Sequence, residues 1–160
     1  GAVWGQDGIP ACSFPTNISN VPAEVVEARS GIVVERRELT PDSGGPGRWR
    51  GGLGQTYALR LPDNFQGTAW VSILSDRTEH AALGRLGGKD GSLRTNIRND
   101  SEVLHPKKRV LLQPGDRLTV RMPGGGGVGD PRERAREAIE EDLRNGYISA
   151  EAAKRDYGYG

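Results

Sequence analysis

The sequence predicts an α+β fold, a β-rich body with glycine-rich loops followed by a C-terminal helical hairpin. Three observations carry that expectation. Apolar and β-branched stretches recur between residues 24 and 123. Turn chemistry separates them, in a chain of 160 residues with 24 glycines and 10 prolines. After Gly127 the pattern changes to an apolar period of four with capping residues at both ends.

Residues 1–23 are rich in turn formers, among them Gly5, Gly8, Pro10, Pro15 and Pro22, and are expected to form a loop or docking segment. Trp4, Ile9 and Phe14 need a surface to cover them. The body, 24–123, is expected to turn strand-like from Glu24, with Ile32, Val33 and Val34 as a β-branched cluster. Residues 41–52 are a loop of Pro41, Asp42, Gly44, Gly45, Pro46, Gly47, Gly51 and Gly52. Leu53, Tyr57, Leu59 and Leu61 then alternate with smaller or polar residues, a period of two that predicts a strand with one face in the core. Trp70 to Leu74 reads as a more buried strand. A second glycine-bearing loop covers Gly84 to Gly91, and residues 92–108 read as irregular with room for one short strand. Val110–Leu112 and Leu118–Met122 flank Gln113-Pro114-Gly115-Asp116, which predicts a hairpin.

Residues 124–160 comprise the glycine run and the helices. Asp130 is a natural N-cap and Pro131 a natural first helical residue. Ala135, Ile139 and Leu143 mark one apolar face, Gly146 sits where a helix stops, and Ser149 caps a second short helix over residues 150–156.

Composition narrows the function. Net charge is +1, from 22 basic and 21 acidic residues. That balance provides no field for nucleic acid or an anionic membrane. Lys107, Lys108 and Arg109 read as a solvated strand end. A single cysteine, Cys12, excludes a disulfide-built scaffold. No apolar run approaches the roughly 20 residues that span a bilayer. With no export signal either, a cytoplasmic location is expected.

No stretch is a complete catalytic signature. The run before Asp130 suggests a phosphate cradle, but the P-loop lysine and hydroxyl are missing, so close chain packing is the better reading. His80 and His105, the only histidines, lie far apart. With one cysteine they do not make a metal site, and no metal ligand is assigned. Asp76 and Arg77 are expected to pair with one another or cap a turn. Cys12 lacks an adjacent base. Arg48 and Arg50 flank Trp49, either to clamp an anion or, preferably, to brace the loop against a partner domain. Thr16, Asn17, Asn20 and Glu24 form a dense polar cluster, which on general grounds stabilises a turn. Catalytic and cofactor-binding residues are unassigned.

Taken in order, several stretches resemble the end of the hydantoinase B/oxoprolinase family. They are TNISNVPAEVVEAR (16–29), ERRELTPDSGGPGRWRGGLGQ (35–55), LSDRTEH (74–80), GRLGGKDG (84–91), LQPGDRLTVRMPGGGGVGDPRER (112–134) and DLRNGYISAEAAKRDYG (142–158). The sequence departs from the family pattern at Cys12 to Pro15, at Ile18, Ser19 and Val21, and at Ala81 to Leu83.

The resemblance implies the C-terminal portion of a B-type subunit in an ATP-dependent hydrolase of cyclic amides, of the hydantoin or 5-oxoproline class. ATP and a divalent metal belong to the complete complex, with the metal ligands upstream and none on this chain. The implied partners are the upstream part of the B-type subunit, a hydantoinase A-type subunit and a small cyclic amide or ketone; the chain alone is expected to be inactive. Its role would be to wall the active site and dock the partner, with Thr16, Asn17, Asn20 and Glu24 as polar support. An ATP-dependent carboxylase of acetone or an aromatic ketone, and a non-catalytic assembly module, are the alternatives.

Overall fold

The computed structural model describes residues 1–12 and 21–160. Among the described residues the first regular element is a helix, α1 (Ala23–Ser30), where a strand was expected. Pro22 precedes it and Gly31 ends it at φ 68°, donating its N–H to the Glu27 carbonyl. Val25 and Val26 suggested a strand, but the proline start and glycine stop prevail over that weak propensity.

Seven strands follow: β1 (Val33–Leu39), β2 (Gln55–Arg60), β3 (Ala69–Leu74), β4 (Thr95–Arg98), β5 (Glu102–Val103), β6 (Lys107–Leu112) and β7 (Arg117–Arg121). They form a five-stranded antiparallel sheet of order β1-β2-β7-β4-β5 and a two-stranded sheet, β3-β6. Both sheets contribute to one core, in which Ile73, Val110 and Leu112 meet Leu61, Leu104 and Leu118.

This corrects the hairpin expected at Gln113–Asp116. The turn forms, with the Asp116 N–H donating to the Gln113 carbonyl at 2.9 Å. Its flanking strands do not pair, since β6 pairs with β3 and β7 with β2 and β4. Val110, Leu112 and Leu118 all point into the same core, so the turn makes a corner between sheets. Nor is β3 especially buried: only Ile73 is, while Trp70 and Leu74 are exposed. A two-stranded sheet has one face to bury, and these two side chains stand on the other.

The tail contains a 3-10 turn (Pro131–Glu133), α2 (Arg136–Arg144) and α3 (Ala150–Ala152), which continues as a π-helical stretch through Tyr157. Ser149 caps its helix as expected, but Asp130 caps only the separate 3-10 turn, and α2 starts after Ala135 with no side-chain cap. The Asp130 carboxylate accepts from the Arg132 N–H and the Ser149 hydroxyl from the Ala152 N–H. Ile139, Ile148, Ala152, Ala153 and Tyr157 make a second small core, with Leu143 at its edge. Ala135 is exposed, one residue before the helix, and takes no part in that face.

Between sheet and tail the glycine-rich loops interlock. Gly45 N–H donates to Gly125 O, Gly125 N–H to Gly52 O, and Gly127 N–H to Lys89 O, at 2.8, 2.8 and 3.0 Å. A Cβ on Gly51 would overlap the Gly125 carbonyl, and one on Gly124 the Ser43 carbonyl. The side-chain-free positions allow backbone to lie directly on backbone.

Candidate functional site

Two features stand out on this scaffold: a buried charge cluster behind the glycine loops and an open groove in front of them. The cluster joins three distant parts of the chain. Asp142, on α2, accepts from Arg50 Nε and Nη2 at 3.0 and 3.2 Å and from Arg134 Nη2 at 2.8 Å. Arg134 also donates to both Asp7 oxygens, at 2.8 and 2.7 Å, and to the Arg48 carbonyl. Arg50, Arg134 and Asp142 side chains are each 5% exposed or less. Two guanidinium groups and two carboxylates cancel, which is what makes their burial tolerable.

The fields act as expected of such a set. Burial alone would raise the Asp7 pKa, but the Arg134 hydrogen bonds and charge, with the Arg50 N–H, hold it below its ordinary value. Burial works against the charge of Arg134, yet Asp7 and Asp142 outweigh it and raise its pKa. Burial pushes the Tyr157 hydroxyl up to about 12. Asp7 and Arg134 therefore hold each other in their charged forms. Arg50 braces its loop as expected, but against the chain's own α2. Arg48 stays at the surface, its guanidinium 5.0 Å from the Trp49 ring and 5.9 Å from that of Trp4.

The groove encloses about 860 Å3. Backbone of Gly52, Gly54, Gly124 and Gly125 lines one part of it, and Ile9, Leu53, Ala82 and Met122 give it an apolar wall. Cys12 and Arg77 also line it. A smaller cavity of about 250 Å3 lies between the loops and the tail, beside Lys89, Tyr157 and Asp156. Asp156 is occupied there by Lys89 and Arg155, at 2.8 and 2.7 Å.

Thr16, Asn17 and Asn20 lie outside the described residues. Glu24 is exposed in the first turn of α1 and lines neither cavity. His80 and His105 are both exposed. Asp76 does not take Arg77 as its ion-pair partner: it binds Lys107 Nζ at 2.8 Å, which also settles Lys107 as a strand-end residue. Sequence reasoning missed Asp7, Arg134 and Asp142, because their pairing spans up to 127 positions and leaves no local signal.

The described residues bring together no set of three metal ligands and no phosphate cradle in the glycine run. No three His, Cys, Asp or Glu side chains converge among them. The glycine run offers no cradle either, since the Gly124 amide goes to the Ser92 hydroxyl and those of Gly125, Gly127 and Gly129 to carbonyls.

The sequence pattern of the hydantoinase B/oxoprolinase family matches residues 1–131. The chain belongs to that family. It is 36% identical to a 5-oxoprolinase of the fungus Pestalotiopsis fici over 154 residues, covering 89% of this chain and 12% of that protein. It is 32% identical over 170 residues to the caprolactamase subunit beta of Pseudomonas jessenii, covering 99% of this chain and 29% of the subunit. The crystal structure of that bacterium's ATP-dependent caprolactamase superposes on 99% of the chain with a TM-score of 0.83 and 28% identity, covering 29% of the matched chain. A nucleotide-free acetone carboxylase shares the fold, with a TM-score of 0.81 at 19% identity over 99% of this chain and 26% of its own. The chain thus spans less than a third of each of these relatives. Among the described residues, no helix is long and apolar enough to cross a membrane.

Proposed function

We propose that the chain is the C-terminal portion of the B-type subunit of an ATP-dependent cyclic-amide hydrolase, of the hydantoin or 5-oxoproline class. It would wall the active site and dock an A-type partner subunit. The observation that carries this reading is the end-to-end likeness to an ATP-dependent caprolactamase, over 99% of the chain. The groove supports it, because it opens on apolar side chains and bare glycine backbone that suit a small ring.

Transfer of a phosphoryl group from ATP to the amide oxygen would make the ring carbon electrophilic. Attack by one water would then open the C–N bond and leave an acyl phosphate, and a second water would hydrolyse that to the carboxylate and phosphate. On this reading the nucleotide and any metal sit on other parts of the complex, and the chain alone is inactive. Thr16, Asn17, Asn20 and Glu24 are proposed as polar support near the substrate.

The test is to purify the native complex, map its peptides and measure ATP hydrolysis. Stimulation by hydantoin or 5-oxoproline is expected, with an A-type chain copurifying. Stimulation only by acetone with bicarbonate would replace the hydrolase with a ketone carboxylase. A complex without ATPase activity would leave an assembly module. Alanine at Asn17 and Asn20 is expected to lower turnover with assembly intact; unchanged turnover would remove them from the site.

A further inference from the structure

Among the described residues the groove carries one charged side chain, the exposed Arg77. Arg77 follows β3 and lines the groove, and no carboxylate is paired with it among the described residues. Its neighbour Asp76 is held by Lys107 instead. No aspartate or glutamate lines the groove among the described residues, whose charged wall is Arg77.

The backbone there is unusual as well. Arg77 has φ 59° and Ala11, also on the groove, has φ 47°. Neither side chain has the local hydrogen bonding that lets asparagine or aspartate tolerate this region, so each costs on the order of 1 kcal/mol or more. Both are pinned, the Arg77 carbonyl by the Arg94 N–H at 2.8 Å and the Ala11 N–H by the Leu53 carbonyl at 3.0 Å. The chain thus holds a guanidinium without a carboxylate partner, on strained backbone, at the wall of an apolar groove.

We infer that Arg77 anchors the anionic end of the molecule this groove binds, so that the groove takes a small organic anion, an oxyanion on an apolar body. A guanidinium fork matches a carboxylate oxygen pair, and a wall without carboxylates leaves its donors open to a ligand, with the adjacent Asp76 already taken by Lys107. Resting on the hydrolase reading, the groove would favour a cyclic amide that bears a carboxylate over an uncharged one.

Two measurements in the purified complex test this. The first uses Cys12, which is exposed and lines the same groove. Its alkylation by iodoacetate and by neutral iodoacetamide is followed by peptide mapping, in the native protein and in Arg77→Asn and Arg77→Lys. Asparagine tolerates the left-handed backbone and removes the charge, whereas lysine keeps it. The iodoacetate-to-iodoacetamide rate ratio is expected to fall by about threefold or more in Arg77→Asn and to hold in Arg77→Lys. Phenylacetate should protect Cys12 in the native protein and not in Arg77→Asn. An unchanged ratio, equal protection in both, or a Cys12 that does not react at all because protein fills the groove, would overturn the inference.

The second compares KM for 5-oxoproline and for its uncharged parent ring, 2-pyrrolidinone. Arg77→Asn is expected to raise the first by about tenfold or more and leave the second unmoved. Equal shifts would overturn the inference. A complex that turns over neither ring nor hydantoin refutes the hydrolase reading alone, because the Cys12 measurement still decides the anion site.

Discussion

Asp142 holds two guanidinium groups at once, and its removal strands both. Arg50 would retain its bond to the Gly51 carbonyl and Arg134 its bonds to Asp7, but two buried cations would face one half-exposed carboxylate. Asp142→Ala is expected to cost about 3–5 kcal/mol in a denaturant titration, because unpaired buried charge is the expensive state. A loss below about 1 kcal/mol would mean that water reaches the cluster. Acid should act on the same chemistry. Asp7 and Asp156 both have pKa values below the ordinary 3.8: burial would raise each, but Arg134 at one and Arg155 with Lys89 at the other outweigh it. A depressed folded-state pKa means that the unfolded chain takes up the proton first. Their contribution is therefore complete above about pH 4 and is lost as pH falls through the lower folded values. Thermal melting between pH 6 and 2 should show the decline, and Asp7→Asn should flatten part of it.

The loops depend on what glycine lacks. At Gly51 and Gly124 an added Cβ would overlap the carbonyls of Gly125 and Ser43, which are themselves tied into the interlock. Gly51→Ala and Gly124→Ala should each cost about 3 kcal/mol or prevent folding. Gly146 is the control: it sits at φ 67° with nothing within 4 Å of a built Cβ, so Gly146→Ala should cost only the backbone penalty of about 1–2 kcal/mol. Equal effects at all three positions, read from unfolding midpoints, would refute the interlock. These elements also mark how far the sequence was legible. Alternation placed β2 but gave its core face wrongly, since Thr56 and Ala58 are buried while Tyr57 and Leu59 are only partly so; Asp130, Gly146 and Ser149 marked turns and ends in the tail, because such signals are local. The Pro114-Gly115 turn was legible, but not its partners, since pairing is decided by which faces the core buries. The candidate site was less legible. Arg77 is one arginine among many until the fold sets it on a groove, and the pairing of Arg134 with Asp7 joins opposite ends of the chain.

At the scale of the molecule, the family's sequence pattern ends at residue 131, yet the structure does not divide there. Arg134 and Asp142 lie beyond that point and hold Asp7 and Arg50, so the tail ties the N-terminal segment to the glycine loops. Asp42 adds a second tie, accepting from the Ser149 N–H at 2.8 Å, and Lys89 a third through Asp156. The tail is therefore part of the wall behind the groove, on whose far side Gly52 and Gly125 lie. Deleting residues 132–160 would leave Arg50 without its carboxylate and remove the second small core whole. The loss of the Asp142 pair alone, about 3–5 kcal/mol, should lower the melting temperature by about 10 °C or more. Calorimetry of the assembled protein would check this. If the truncated form melted with the intact one, the tail would be an independent appendage, and the glycine loops would have to hold their shape by interlock alone.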